Sequence, residues 1–139
     1  MGMPPVLMVA SGAIVGVLGL LHHVFTFRGE QLRPRDPALV IAMREVQPGI
    51  TTQTNVWNMW LGFNASHSLG AMLFGLVYGY LALAHGDVLF SSVFRQVVGF
   101  AMLAGLAELA RRYWFIVPLT GISLSLLLYV ASLALSWSV

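Results

Sequence analysis

The sequence predicts an all-α integral membrane fold, a four-helix bundle of antiparallel spans with one longer loop that carries a short interfacial helix. Three observations lead there. The chain is 58% hydrophobic and only 9% charged, with a mean hydropathy of +0.84, well outside the make-up of a soluble domain. Its apolar runs are long enough to cross a hydrocarbon core of about 30 Å four times. Two of the three breaks between runs are very short, His85-Gly86-Asp87 and Arg111-Arg112, which makes the spans they join antiparallel hairpins. The 139 residues then form a single transmembrane domain.

Span one is expected over about Val6 to Phe27, just after Pro4 and Pro5. Its roughly 22 residues would extend about 33 Å at 1.5 Å per residue, enough to cross. It lacks a basic n-region and a small-residue cleavage site, so it reads as a retained helix. Arg28 to Pro37 is polar, and Pro34 and Pro37 exclude a long helix there. Ala38 to Val46 is apolar with Arg44 and Glu45 near its end, the pattern of a short helix lying on the membrane surface. Pro48-Gly49 stops it, and Thr51, Thr52 or Thr54 is the expected cap of span two. Span two, about Val56 to Ala84, is longer than crossing requires and should tilt or project. Span three is expected over about Val88 to Ala110 and span four over about Tyr113 to Trp137.

Arg28, Arg33, Arg35, Arg44, Arg111 and Arg112 fall in the first and third connections, and only Arg95 lies towards the other side. The positive-inside rule then puts the long connection in the cytoplasm and both termini outside, in a membrane of bacterial inner-membrane type. Trp57, Trp60, Trp114 and Trp137 sit near span ends, as interfacial belts do. There is no lysine and no basic arm, which excludes nucleic acid as a partner. Zero cysteines exclude disulfides, thiolate metal sites and thiol redox chemistry.

Gly12, Gly16, Gly19, His23 and Thr26 share one helical face of span one. Small residues let membrane helices approach closely, and Gly62, Ser66, Gly70, Gly75 and Gly79 repeat the device in span two. Ala101 and Gly105 in span three and Gly121 and Ser125 in span four complete a left-handed bundle.

Against this apolar background the polar groups stand out. A charge at the centre of a span costs up to about 3 kcal/mol on insertion scales, so intramembrane polar residues are functional candidates by default. By expected depth, His23, Asn58, Asn64, His67, Glu108, Thr120 and Ser123 all fall in the cytoplasmic half, with contributions from every span. His67, His23, Glu108 and Asn64 form the expected catalytic set, supplying proton donor, proton acceptor and orienting amide. Trp57, Trp60, Asn58, Trp114, Thr120 and Ser123 are the expected substrate-binding groups. Each has a plainer explanation. Glu108 pairs naturally with Arg111 and Arg112, Asn64 serves equally as interhelical glue, and a structural hydrogen bond suits His23. His22, about 100° round the helix from His23, is expected at the interface.

Three functions compete. One is recognition of a lipophilic small molecule, with conversion by cofactor-independent acid–base chemistry of isomerase, hydration or ring-opening type. A second is a non-catalytic subunit or scaffold of a larger assembly. A third is haem binding, with His23 and His67 as axial ligands. No metal-ligand spacing, phosphate loop or dinucleotide fingerprint is present, so neither metal nor cofactor is expected in the first case. Membrane lipids are the expected surroundings, and a homo-oligomer is compatible with the sequence. The pattern Gly-x-x-x-His on the first span, at Gly19 to His23, and Asn-x-x-His on the second, at Asn64 to His67, resembles small four-span bacterial membrane proteins. In residue types alone, His, Glu, Asn and Trp within a helical bundle, the chain is similar to membrane-embedded sterol isomerases. That likeness implies a reaction class and assigns no role residue by residue.

Overall fold

A computed structural model describes residues 2–138. Among them the only regular structure is helical, in the order α1 (Met3–Arg28), α2 (Pro37–Glu45), α3 (Val56–Ala84), α4 (Gly86–Phe90), α5 (Val93–Tyr113) and α6 (Ile116–Trp137). The helices α1, α3, α5 and α6 are long and apolar enough to cross a membrane. Their outward positions confirm the solvent. Phe63, Leu73, Leu76, Phe94 and Leu127 are among the most exposed side chains. Apolar patches this extensive do not face water in a soluble monomer. The chain is a small integral membrane protein.

Boundaries follow from local chemistry. Asp36 caps α2 by accepting from the Ala38 N–H, with Pro37 in the first turn, where its missing N–H costs nothing. The first turn of α3 is closed by Asn55, whose Oδ1 accepts from the Asn58 N–H at 2.9 Å. None of the three threonines does this. Thr51 Oγ1 instead accepts from the Gln53 N–H within the preceding turn. The third span begins later than its hydropathy suggests. Gly86–Phe90 forms the separate short helix α4, and Ser92 caps α5 by accepting from the Arg95 N–H. Arg95 Nε donates to the Val88 carbonyl at 2.8 Å and Gln96 Nε2 to the Phe90 carbonyl at 2.7 Å. Two α5 side chains thereby satisfy carbonyls of α4 that its own short length leaves open.

The chain divides into two compact units, each drawing on α1 and α3. One holds α1 up to Leu18 and everything from Ala71 on. In it, segments of all four long helices pack around Met8, Val15, Phe74, Leu103, Ile122 and Tyr129. Glycines of α1 and α3 let the two backbones approach closely. A Cβ built on Gly75 would lie 2.5 Å from the Gly12 carbonyl oxygen and 3.1 Å from Gly16 Cα. Ser11 and Ser125 join α1 to α6 reciprocally, each hydroxyl donating to the other residue's carbonyl, at 2.8 and 2.9 Å. Ser132 adds a bond to the Pro4 carbonyl at 2.7 Å. Tyr78 and Tyr129 donate to the Arg95 and Gln96 carbonyls of α5, at 2.7 and 2.8 Å. Gly99 makes this possible, because a Cβ there would run into the Tyr129 hydroxyl. By contrast a Cβ on Gly62, Gly79 or Gly105 would meet nothing within 4 Å, and Ser66 is exposed. The small residues of α1 and the centre of α3 are therefore packing residues, and those at Gly62, Ser66 and Gly105 are not.

The other unit is Gly19–Gly70, made of the second part of α1, the connection with α2, and the first part of α3. Val56 N–H donates to the Val46 carbonyl at 3.0 Å, which closes the loop between α2 and α3 and sets the end of α2 beside the start of α3. This unit carries the polar cluster.

Candidate functional site

The hairpin of α1 and α3 in the second unit brings three imidazoles together. His22 and His23 lie five or six residues before the end of α1, about 8 to 9 Å along the helix. Antiparallel to them, α3 presents Asn64, His67 and Ser68 two to three turns from its start. His22 Nε2 is 2.9 Å from Asn64 Oδ1. His23 Nδ1 is 2.8 Å from Ser68 Oγ. The His67 ring stands edge-on to His22, with centroids 5.4 Å apart and planes at 75°. Neighbouring helical residues point about 100° apart, yet both histidines reach α3, because the contact line of α3 runs between them. Ser68 is fully buried and the histidines are half-buried.

The hydrogen bonds define proton positions. Asn64 Nδ2 donates to the Trp60 carbonyl at 2.8 Å, which turns Oδ1 towards His22. A carbonyl oxygen only accepts, so His22 Nε2 must carry its proton. Ser68 has one hydroxyl proton and two acceptors in reach, the Ala65 carbonyl at 2.7 Å and His23 Nδ1. When the hydroxyl donates to the Ala65 carbonyl, Ser68 Oγ accepts from His23 Nδ1–H and Nε2 is the basic nitrogen. When the hydroxyl donates to an unprotonated Nδ1, Nε2 carries the ring proton. The two tautomers of His23 are thus both accommodated, the Ser68 hydroxyl turning to match whichever ring nitrogen carries the proton. Thr26 Oγ1 donates to the His22 carbonyl at 2.8 Å, holding α1 at this level, and Phe27 packs edge-on against His23 at 5.0 Å.

The structure thus unites His23, Asn64 and His67 of the expected set and adds His22 and Ser68. Counting faces on α1 alone puts His22 at the interface, whereas the structure turns it to Asn64 of α3. Its signal was Thr26 one turn on, a polar pair on a single face. Glu108 belongs to the other unit, where one carboxylate accepts from both Arg111, at 2.8 and 3.0 Å, and Arg112. The plainer explanation of Glu108 accounts for its geometry. Trp114 follows the end of α5 and Thr120 is exposed, its hydroxyl donating to the Val117 carbonyl; Ser123 is half-buried on α6. All three lie in the same unit as Glu108. Asn58 is exposed in the first turn of α3. Trp57 is buried and stacks on Trp60, centroids 5.3 Å apart. The Arg33 and Arg44 guanidinium carbons lie 5.9 and 5.4 Å from the centre of Trp57. Among the described residues no group of three or more His, Asp or Glu side chains is arranged to hold a metal ion. No protein-family model, no curated protein and no solved structure matches the chain.

Proposed function

We propose that this membrane protein recognises a lipophilic small molecule at the histidine cluster and shifts a proton on it. The observation that carries the reading is the convergence of His22, His23 and His67 on Asn64 and Ser68 inside two apolar helices. Neutral amides and hydroxyls suffice to hold two helices in register, each bond being worth about 0.6 kcal/mol in a membrane. Three imidazoles exceed that need, and imidazole is the side chain best matched to proton transfer near neutral pH. An isomerisation fits the inventory: one ring nitrogen removes a proton from the substrate and a protonated ring nitrogen returns one at a second atom, so the protein's proton count is unchanged and a proton transfer back between the two nitrogens restores the starting state. His23, oriented by its bond to Ser68, and the His22–His67 pair are the two stations of this proposal. The arginine distribution supports a cytoplasmic position for this cluster.

The test is native mass spectrometry of the detergent-solubilised protein beside His67→Ala and His23→Ala variants. The wild type should carry a lipophile other than phospholipid at fixed stoichiometry, and both variants should keep their helicity while losing it. Glu108→Gln should retain it, since that carboxylate is engaged by arginines in the other unit. A wild type carrying phospholipid alone, or folded histidine variants that keep the lipophile, would remove the proposal in favour of a scaffold.

A further inference from the structure

Outside the histidine cluster, the same unit holds a second arrangement that the proposed chemistry does not use. Arg33, from the turn after α1, and Arg44, from the last turn of α2, both approach the Trp57 ring, at 5.9 and 5.4 Å. Trp60 stacks on that ring as well, and Trp57 is only 7% exposed. Each guanidinium gains from the electron-rich ring face. Two cations gathered on one ring nevertheless repel each other, and the usual remedy is an acid between them. The segment offers Glu30, Asp36 and Glu45, but among the described residues the only ion pairs are those of Glu108. Asp36 is engaged with the Ala38 N–H. Neither arginine therefore has a carboxylate partner, and each keeps its fork of N–H donors for an outside anion.

The scaffold around them is built and fixed. Asp36 caps α2, the Arg33 N–H donates to the Glu30 carbonyl at 3.1 Å, and the Val46–Val56 bond closes the loop, so both arginines are delivered to Trp57 by hydrogen-bonded backbone. The surroundings identify where the anion comes from. Trp57 lies in the first turn of a membrane span, the level of lipid headgroups. No residue of α2 is buried, and Leu39, Ile41, Val46 and Ile50 are exposed, as in a helix that lies on a bilayer with its apolar side chains among acyl chains. An anion reaching this point with apolar groups beside it is a lipid headgroup. Guanidinium forks match the oxygens of a phosphate in a way that ammonium groups do not.

We infer that Arg33, Arg44 and Trp57 form a binding site for the phosphate of an anionic phospholipid. The site is separate from the histidine cluster and independent of the function proposed for it.

The experiment is native mass spectrometry of the full chain in neutral detergent, titrated with phosphatidylglycerol or phosphatidylcholine. The wild type should bind phosphatidylglycerol selectively. Each arginine should contribute about five-fold, so Arg33→Gln with Arg44→Gln should lower the affinity for phosphatidylglycerol roughly 25-fold. The control is Arg28→Gln with Arg35→Gln, which removes the same charge from the same connection without touching Trp57, and should leave selectivity within about two-fold of wild type. Should either glutamine pair lose helicity, Arg33→Lys with Arg44→Lys replaces it, keeping the charge but not the forks, and should still weaken selective binding. An equal loss in the control pair would show diffuse attraction in place of a site. No preference in the wild type, or full selectivity in the lysine pair, would also overturn the inference. So would displacement of phosphatidylglycerol by millimolar inorganic phosphate, which would mark a site for free anions.

Discussion

Gly75 shows how much a single position decides. Its Cα region is the place where α3 meets Gly12 and Gly16 of α1, and a methyl group there would lie 2.5 Å from a backbone oxygen that has no freedom to move aside. Gly75→Ala should cost about 1–3 kcal/mol as overpacking does, whereas Gly79→Ala, with nothing in reach, should be neutral or slightly stabilising. Unfolding of both variants in detergent checks the contrast, and equal effects would contradict the packing described. The reciprocal Ser11–Ser125 bonds should appear in a double-mutant cycle as a coupling of about 0.6 kcal/mol, the usual size inside membranes. The small-residue stripe of α1 was legible in the sequence because glycine spacing carries geometry. The serine pair was not, since a serine in an apolar helix says nothing of its partner until helix register is known. His22 was missed for the same reason: a face computed on one helix does not reveal where a neighbour's contact line will run.

At the scale of elements, the four spans and the short interfacial helix could be read from hydropathy, and the second span matched at both ends, Val56–Ala84. Ends set by capping were harder. The sequence suggests a span from Val88, yet the chain turns at Ser91 and Ser92 and starts α5 at Val93, because Ser92 can accept from the Arg95 N–H. Three threonines looked like caps for α3, but Asn55, immediately before the helix, has the reach and the position. Asn55→Ala should therefore cost about 1 kcal/mol, and Thr51→Ala, Thr52→Ala and Thr54→Ala only a few tenths each. Chemical unfolding of the four variants decides it, and a larger loss at any threonine would restore the expectation from sequence. Of the candidate site, the α1–α3 groups were legible because His23, Asn64 and His67 all fall in the expected cytoplasmic half of consecutive spans. The α5 and α6 candidates fall in the other compact unit, and expected depth was the property by which the sequence linked them to the α1–α3 groups.

For the whole molecule, the membrane environment follows from exposed leucine, valine and phenylalanine on helices long enough to cross. The positive-inside rule gives the expected direction of insertion, with both termini outside. The natural absence of cysteine makes it testable without background. In intact cells a membrane-impermeant thiol reagent should label Asp87→Cys and spare Arg35→Cys, and the reverse pattern would invert the topology and move the histidine cluster to the outer half. The account as a whole depends on the imidazoles being held by fixed partners within the helices. Nitrogen-15 NMR of histidine-labelled protein in lipid nanodiscs reads this directly. The prediction is that His22 shows a single tautomer protonated at Nε2, which Asn64→Ala abolishes while the loop residue His85 is unchanged. Rapid tautomer averaging at His22, insensitive to Asn64, would contradict it.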